Sequence, residues 1–310
     1  MRIFLTGATG YIGSAVLDAL VRAGHDITAL VRHKENAAHV AGRGAYPVIG
    51  NLGDPESYRG AADAQDGYVH TAFDASGRGE AVDRVAIETM IAAANQPRTS
   101  GSLAPATQFV IYTSGVWVLG RTPEPAAEDA PLNPITLVSW RPAHEQLVLD
   151  AASDHLRAVV VRPGIVYGGG NGIVGDLLKS AISGLVRVVG DGNNHWPLVY
   201  NRDLADLYAR LANRPDTSGV YHATHESDER VNDIVAAISP YLPVQPDVRH
   251  MPIDEARSKM GPYADALALD QIVRSPRARA LGWTPTLHSV AGNAARLLEE
   301  LRASRNGSRP

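Results

Sequence analysis

From residue 2 to residue 164, short apolar runs rich in Val and Ile alternate with longer stretches of helical period. The runs are RIFLTG (2–7), DITALVR (26–32), YPVIGN (46–51), GYVHTAF (67–73), QFVIYTS (108–114) and LRAVVVRPG (156–164). Between them lie YIGSAVLDALVRAG (11–24), EAVDRVAIETMIAAA (80–94) and LVSWRPAHEQLVLD (137–150). Strands alternating with amphipathic helices predict a mostly parallel sheet covered by helices on both faces. The unbroken apolar character of VIYTS and AVVVR suits strands buried on both sides. After Pro163 the pattern loosens into glycines, the short helices GDLLKSAIS (175–183), NRDLADLYARLAN (201–213) and RVNDIVAAIS (230–239), and one strand, GVYHATH (219–225). This half predicts a smaller lobe interleaved with the last pieces of the first.

Composition narrows the function classes. A chain of 310 residues with 45% apolar content can bury one large core or two smaller ones. A formal charge of −4 and the lack of Lys/Arg runs give no footprint for nucleic acid or an anionic membrane. Zero cysteines remove disulfides, thiolate nucleophiles and cysteine-based metal sites. MRIFLTGATG has neither the charge pattern of a signal peptide nor the length of a span, so the expectation is a cytoplasmic protein acting on a small molecule. The segments NQPRTSGSLAPATQ (95–108) and RASRNGSRP (302–310) read as loop and tail.

TGATGYIG (6–13) lies between a predicted strand and a predicted helix, the context that makes a glycine-rich motif informative. Gly7 suits the tight turn, Gly10 lets the backbone approach a diphosphate, and Gly13 lets helix pack on strand. Thr9, Tyr11 and Ile12 complete the loop and the helix N-terminus, whose free N–H groups and dipole favour an anion. The second strand ends LVRHK, with Arg32 and Lys34 and no acid before Glu35. A cation there suits the 2′-phosphate of NADP, whereas an acid would accept from the 2′-hydroxyl of NAD. The expected cofactor is therefore NADP(H).

Together with GNLGDPES (50–57), HTAF (70–73), YTSGVWVLG (112–120), RPGIVYG (162–168), HWPLVYNRDLADLY (195–208) and ALGWTP (280–285), this loop resembles the extended short-chain dehydrogenase/reductases, the NAD(P)-dependent epimerase/dehydratase-like family, over nearly the whole chain. The resemblance implies an α/β fold, a Rossmann doubly wound parallel sheet with a smaller C-terminal substrate lobe. It divides the chain into 1–165 with 196–224 as the NADP-binding domain, 166–195 with 225–302 as the lobe, and 303–310 as a flexible tail. By position it implies Asn51 and Leu52 near the adenine, Thr71, Ala72 and Phe73 near the diphosphate and ribose, and Thr113, Pro163, Gly164 and Val166 around the nicotinamide end. It also implies a homodimer built on the helices 80–94 and 137–150.

Family members that reduce ketones use a Tyr-x-x-x-Lys pair, in which an ammonium lowers the phenol pKa so that the phenol can protonate the new alkoxide. This chain has lysines only at 34, 179 and 259, each preceded four places earlier by Leu30, Gly175 and Glu255, so no such pair exists. The family register puts Leu137 at the tyrosine, Arg141 at the lysine, Gly115 at the usual serine with Ser114 one place before it, and Asp83 at an asparagine.

The expected site therefore keeps its cofactor apparatus and lacks the usual acid. Arg141 is expected to contact cofactor or a developing oxyanion, against the simpler reading of an i,i+4 pair with Glu145. Ser114 and Tyr200 join it as polar catalytic candidates, and Trp117, His195, Trp196 and Tyr200 as substrate contacts. His70 and Tyr167 read as structural, Trp140 as core packing and His144 as exposed or interfacial. Pro142 fits the first turn of a helix capped near Ser139. No metal site is expected, His222 and His225 included. The leading function is an NADPH-dependent reductase of a small conjugated, imine or carbonyl metabolite. The alternatives are an epimerase, isomerase or cyclase that retains the cofactor, and a catalytically silent NADP-sensing protein.

Overall fold

The computed structural model describes residues 1–63, 65–96 and 107–307. Seven strands form the central sheet: β1 (Arg2–Thr6), β2 (Asp26–Val31), β3 (Ala45–Ile49), β4 (Gly67–His70), β5 (Gln108–Thr113), β6 (Leu156–Pro163) and β7 (Gly219–Ala223). Their order is β7-β6-β5-β4-β1-β2-β3, and β1 pairs in parallel with both β2 and β4. The sequence order thus reverses across β1, the topological switch point at which doubly wound sheets hold ligands. β5 is buried except at its last residue and β6 throughout, as their unbroken apolar character predicts, and β4 is buried at every residue as well. Pro47 is tolerated because β3 is an edge strand.

Four helices matter for the site: α1 (Tyr11–Arg22), α2 (Gly79–Ala94), α3 (Arg141–Asp150) and α4 (Asn201–Asn213). The residues of α2 that face the sheet, among them Ala86, Ile87 and Met90, are fully buried with Phe4, Tyr68 and Val110 of the strands. α3 departs from expectation at its start. A 3-10 turn over Thr136–Val138 precedes it, Ser139 is helical rather than capping, and Trp140 occupies the N-cap without a side-chain hydrogen bond. Pro142 lies in the first turn, where its missing N–H costs nothing.

The chain divides into two units: 1–114, 140–162 and 205–221 form one, and 115–139, 163–204 and 222–310 the other. The division differs from the expected bounds chiefly in assigning 115–139 to the second unit. Thr122–Ala126 pairs there with Gln271–Val273, and Val116, Val118 and Leu119 share an apolar cluster with Val273. The second unit holds further two-stranded pairs, Ile165–Tyr167 with Leu198–Tyr200 and Leu185–Val189 with Asp247–Met251. Its main core includes Tyr167, Trp196, Ile234 and Leu298. The last helix, Ala294–Gly307, runs through residues expected to be flexible from 303 onward, because AARLLEELRASR is rich in strong helix formers. Residues 97–106 of the loop expected over 95–108, and the last three residues of the chain, lie outside the described residues.

Candidate active site

The glycine-rich loop is built by three different constraints. Gly7 has φ 78°, and a Cβ on it would stand 2.6 Å from the Ala72 amide nitrogen. A Cβ on Gly13 would collide with the Gly7 carbonyl oxygen and the Thr71 hydroxyl, so this glycine sets how closely α1 approaches β1. Gly10 is different: a Cβ there would meet only the Gly7 oxygen at 3.2 Å. The fold thus demands a glycine far less at 10 than at 7 or 13, since the Gly7 carbonyl would have to give by only a few tenths of an ångström, and a position left bare there suits a ligand. No side chain caps α1 at Gly10, and its first turn carries no acid. A diphosphate fits such an end, where N–H groups and dipole are left uncompensated by the protein. Thr9 and Gly10 are exposed, Tyr11 and Ile12 half-buried.

Thr71 and Ala72 lie against this loop, with the Thr71 hydroxyl donating to the Thr6 carbonyl at 2.7 Å. Phe73 follows, 61% exposed, with the guanidinium of Arg141 5.7 Å from its ring centroid. The indole of Trp140 flanks the same guanidinium at 4.6 Å. Trp140 therefore holds Arg141 instead of packing in the core. Arg141 Nη1 donates to the Thr113 carbonyl at 2.9 Å and to the Tyr112 phenol at 3.2 Å. The i,i+4 pair with Glu145 does not form. Glu145 is buried in a bidentate pair with Arg162, which leaves Arg141 turned to the end of β5. Its Nε and Nη2 have no hydrogen-bond partner among the described residues. The Ser114 hydroxyl, next along the chain, is buried and likewise unpartnered among the described residues.

Behind Arg141 stands a buried polar chain that sequence reasoning resolved only in part. Asp83 Oδ2 accepts from the Tyr112 hydroxyl at 2.9 Å and faces His144 Nδ1 at 2.8 Å. Asp83 Oδ1 faces His70 Nε2 at 3.0 Å, and His70 Nδ1 meets the Thr6 hydroxyl at 2.6 Å. With neutral rings, each histidine donates to Asp83, and His70 accepts from Thr6. His144 is 2% exposed, so it is neither a surface nor an interface residue. Asp83, inside α2, supplies an acceptor that fixes it there. His70 is structural, as its place at a strand end predicts.

The electrostatics follow from this geometry. Burial alone would raise the Asp83 carboxyl, but hydrogen bonds from His144 and His70 outweigh it and hold it below the ordinary carboxylate range. Burial pushes the Tyr112 phenol well up; the Arg141 charge opposes this and Asp83 reinforces it. Burial also raises Tyr208 of α4, whose hydroxyl lies 2.6 Å from Thr113 Oγ1. Neither phenol is set up as a general acid near neutral pH.

The remaining predicted residues are placed as follows. Arg32 and Lys34 are exposed just beyond β2. Asn51 is exposed with its side-chain oxygen turned back to the Gly53 N–H at 3.1 Å, and Leu52 is half-buried. In the second unit, Gly164 donates to the Ala223 carbonyl at 3.0 Å, Pro163 is buried, and Val166 lies in the strand Ile165–Tyr167. The Tyr200 hydroxyl donates to Glu300 at 2.7 Å and the residue is buried, so that phenol is held by the fold and is not a free proton donor. His195, in a two-residue strand paired with Glu229–Arg230, bonds Asp270 Oδ1 through both its N–H at 3.0 Å and its Nδ1 at 2.8 Å. Trp196 and Tyr167 are buried in the main core of the second unit, and Trp117, partly buried, packs against that core. No metal-holding cluster occurs among the described residues.

The profile of the NAD dependent epimerase/dehydratase family matches residues 3–224. An uncharacterised protein of Schizosaccharomyces pombe is 32% identical over 301 residues, covering 94% of this chain and 96% of that protein. A 2-alkyl-3-oxoalkanoate reductase of Stenotrophomonas maltophilia is 29% identical over 257 residues, covering 77% and 76%. The solved structure of human epimerase family protein SDR39U1 with NADPH superposes with a TM-score of 0.77 at 19% identity, covering 96% of this chain and 99% of that one. Other solved structures of this fold hold NAD.

Proposed function

The chain belongs to the NAD dependent epimerase/dehydratase family, and we propose that it is an NADPH-dependent reductase whose hydride acceptor needs no proton from the protein. One observation carries the reading: Arg141, which the sequence resemblance assigns to the family's lysine, is locked onto Thr113 and Tyr112 through Nη1 while its other two nitrogens keep their donors. A relative named as a reductase and a structure solved with NADPH support the same reading.

When bound, the dinucleotide supplies a hydride to an electron-poor carbon. The chain's own part is to bind and orient. Gly7, Gly10 and Gly13 with the uncapped end of α1 take the diphosphate, and Thr71, Ala72 and Phe73 line its course. Arg32 and Lys34 pair with the 2′-phosphate. The free nitrogens of Arg141 and the Ser114 hydroxyl donate to the ribose or to the acceptor oxygen. A guanidinium is a stationary donor rather than an acid, since its pKa exceeds about 12. Such a site favours acceptors that spread or lack the developing charge. In an enone or quinone, the new C–H bond forms at carbon, the π electrons move to oxygen, and water supplies the proton. An iminium carbon simply becomes an amine. A plain ketone, left with a localised alkoxide and no phenol to protonate it, is the slowest class.

The test is titration with NADPH and NADH, followed by loss of the reduced-nicotinamide absorbance with a panel of enones, quinones, iminium ions and ketones. Tighter binding of NADPH and turnover of the first three classes above ketones are expected. No turnover across the panel despite tight NADPH binding would overturn the reading.

A further inference from the structure

The second unit contains a cavity of about 170 Å³ that no step above uses. The helix Gly172–Ile182, the strand Leu185–Val189, Trp196 and the helix Tyr263–Leu267 line it, and one side is open to solvent. Its walls are Ile173, Leu177, Val188, Trp196, Val231 and Leu267. The polar atom of Trp196 is already satisfied, because its indole N–H donates to the Leu267 carbonyl at 3.1 Å. What the indole offers the cavity is therefore ring surface. An apolar cavity of about 150 Å³ accommodates a benzene ring, so the space suits one aromatic ring or a branched alkyl group of similar size.

The rim is chemically lopsided. Arg187 lines the cavity and is exposed, with no ion pair or hydrogen bond among the described residues. In the parallel pairing of Leu185–Val189 with Asp247–Met251 it stands in register with Arg249, and like charges side by side on adjacent strands repel. Arg249 has Asp247 as its partner at 2.7 Å, and the rim acid Asp176 has Lys179 at 2.9 Å. Tyr263 lines the cavity too, its phenol raised by burial and by Asp176, so it is neutral at physiological pH. The one lining charge left without a counter-charge is thus a cation at the mouth of an apolar hole.

We propose that this cavity binds a small amphiphilic molecule, a phenyl-sized or branched-alkyl group tethered to a carboxylate that pairs with Arg187. The binding does not depend on the reductase reading.

The experiment titrates the full-length protein with 3-phenylpropanoate, 3-phenylpropan-1-ol and 3-phenylpropan-1-amine, read by tryptophan fluorescence and calorimetry. The carboxylate is expected to bind about three- to fivefold more tightly than the alcohol, the size of an exposed ion pair, and the amine more weakly than both. Arg187→Glu, at an exposed strand position, reverses the order of carboxylate and amine. Ile173→Trp fills the cavity and abolishes all three signals while the NADPH titration stays intact. Equal binding of the three probes, or binding that survives Ile173→Trp, overturns the proposal. The two readings fail separately: probe binding in a protein that oxidises no NADPH sinks the reductase and keeps the pocket. NADPH oxidation by a protein that binds the three probes equally sinks the pocket and keeps the reductase.

Discussion

Asp83 and Arg141 are joined through one atom, the phenol oxygen of Tyr112, which lies 2.9 Å from Asp83 Oδ2 and 3.2 Å from Arg141 Nη1. A buried anion inside α2 thereby steadies a cation at the end of β5 without touching it. A neutral phenol between them is the arrangement that low dielectric favours, since it donates to the carboxylate and accepts from the guanidinium.

Tyr112→Phe removes that link and leaves Arg141 only the Thr113 carbonyl, while Asp83 keeps both histidines. Stability is expected to drop by about 1–2 kcal/mol, the range for losing one buried hydrogen bond. If Tyr112 positions Arg141 for the reaction, turnover falls about tenfold, equivalent to roughly 1.4 kcal/mol, with the dissociation constant of NADPH nearly unchanged. Steady-state kinetics and a cofactor titration on one preparation check this. Equal losses in the two would mean that the tyrosine serves the fold or the cofactor alone.

Arg141→Met removes the fixed donor and its aromatic stacking, and Arg141→Lys restores the residue type that the family register expects. Lysine cannot bridge Tyr112 and Thr113 while presenting further donors, because it is a single point charge. A loss of about a hundredfold in kcat/KM is expected for methionine, in the range for deleting an oxyanion donor. Lysine should recover only part of it. Full recovery by lysine would mean that charge alone matters and that the fork geometry is incidental.

The glycine loop separates structure from ligand by position. Gly13→Ala drives a methyl into the Gly7 carbonyl and Thr71 hydroxyl, both held by neighbouring strands, so the variant should unfold at markedly lower urea. Gly10→Ala meets one oxygen at 3.2 Å and should fold nearly as well as the parent while losing NADPH affinity about tenfold or more. Urea unfolding and a cofactor titration on both variants test the pair. An equally destabilised Gly10→Ala would remove the argument that position 10 is kept bare for the diphosphate.

The fold and the glycine loop were legible because their signals are local: strand period, helix period, and glycines at a strand-to-helix turn. The strands of the central sheet follow that pattern, whereas their order, with the switch point at β1, is set by tertiary pairing. The buried chain from Thr6 to Arg141 was not legible, because its members come from β1, β4, α2, β5 and α3. His144 sits beside Glu145 in a polar-looking stretch, and only tertiary pairing reveals that Arg162 takes the glutamate and Asp83 the histidine. One usable signal was present: Asp83 sits mid-helix among buried alanines and isoleucine, and a buried acid demands partners. Tyr200 misled for the converse reason, since its acceptor, Glu300, lies 100 residues away along the chain.

Arg32 tests the cofactor preference. It is exposed beyond β2 and forms no ion pair among the described residues, so the guanidinium can turn to a phosphate. Arg32→Ala should weaken NADPH binding at least tenfold and leave NADH binding unaltered, with the ratio of the two dissociation constants as readout. A ratio that does not move would assign the preference elsewhere.

His225 predicts how stability depends on pH. Its side chain is fully buried, and neither ring nitrogen has a hydrogen-bond partner among the described residues. The nearest acid, Glu229, is 3.8 Å from Nε2, with its oxygens taken by the Ser227 and Ser289 hydroxyls and the Val290 and Ala291 N–H groups. Burial lowers the histidine to about 4; Glu229 opposes the shift and His288 adds to it. An unfolded chain would take up this proton near pH 6.5, whereas the folded one refuses it until about 4. The unfolded state binds more protons between those values, so stability falls as pH drops through that window and levels off, for this group, below it. The change from pH 7 to pH 5 attributable to His225 is about 2 kcal/mol. His225→Phe keeps a ring against Tyr167, whose own ring lies 5.6 Å away, and has nothing to protonate. Urea unfolding of parent and variant at pH 7 and pH 5 should show the variant gaining on the parent by that amount at the lower pH. A difference between the two proteins that stays constant over this range would show that the proton is taken up by another group.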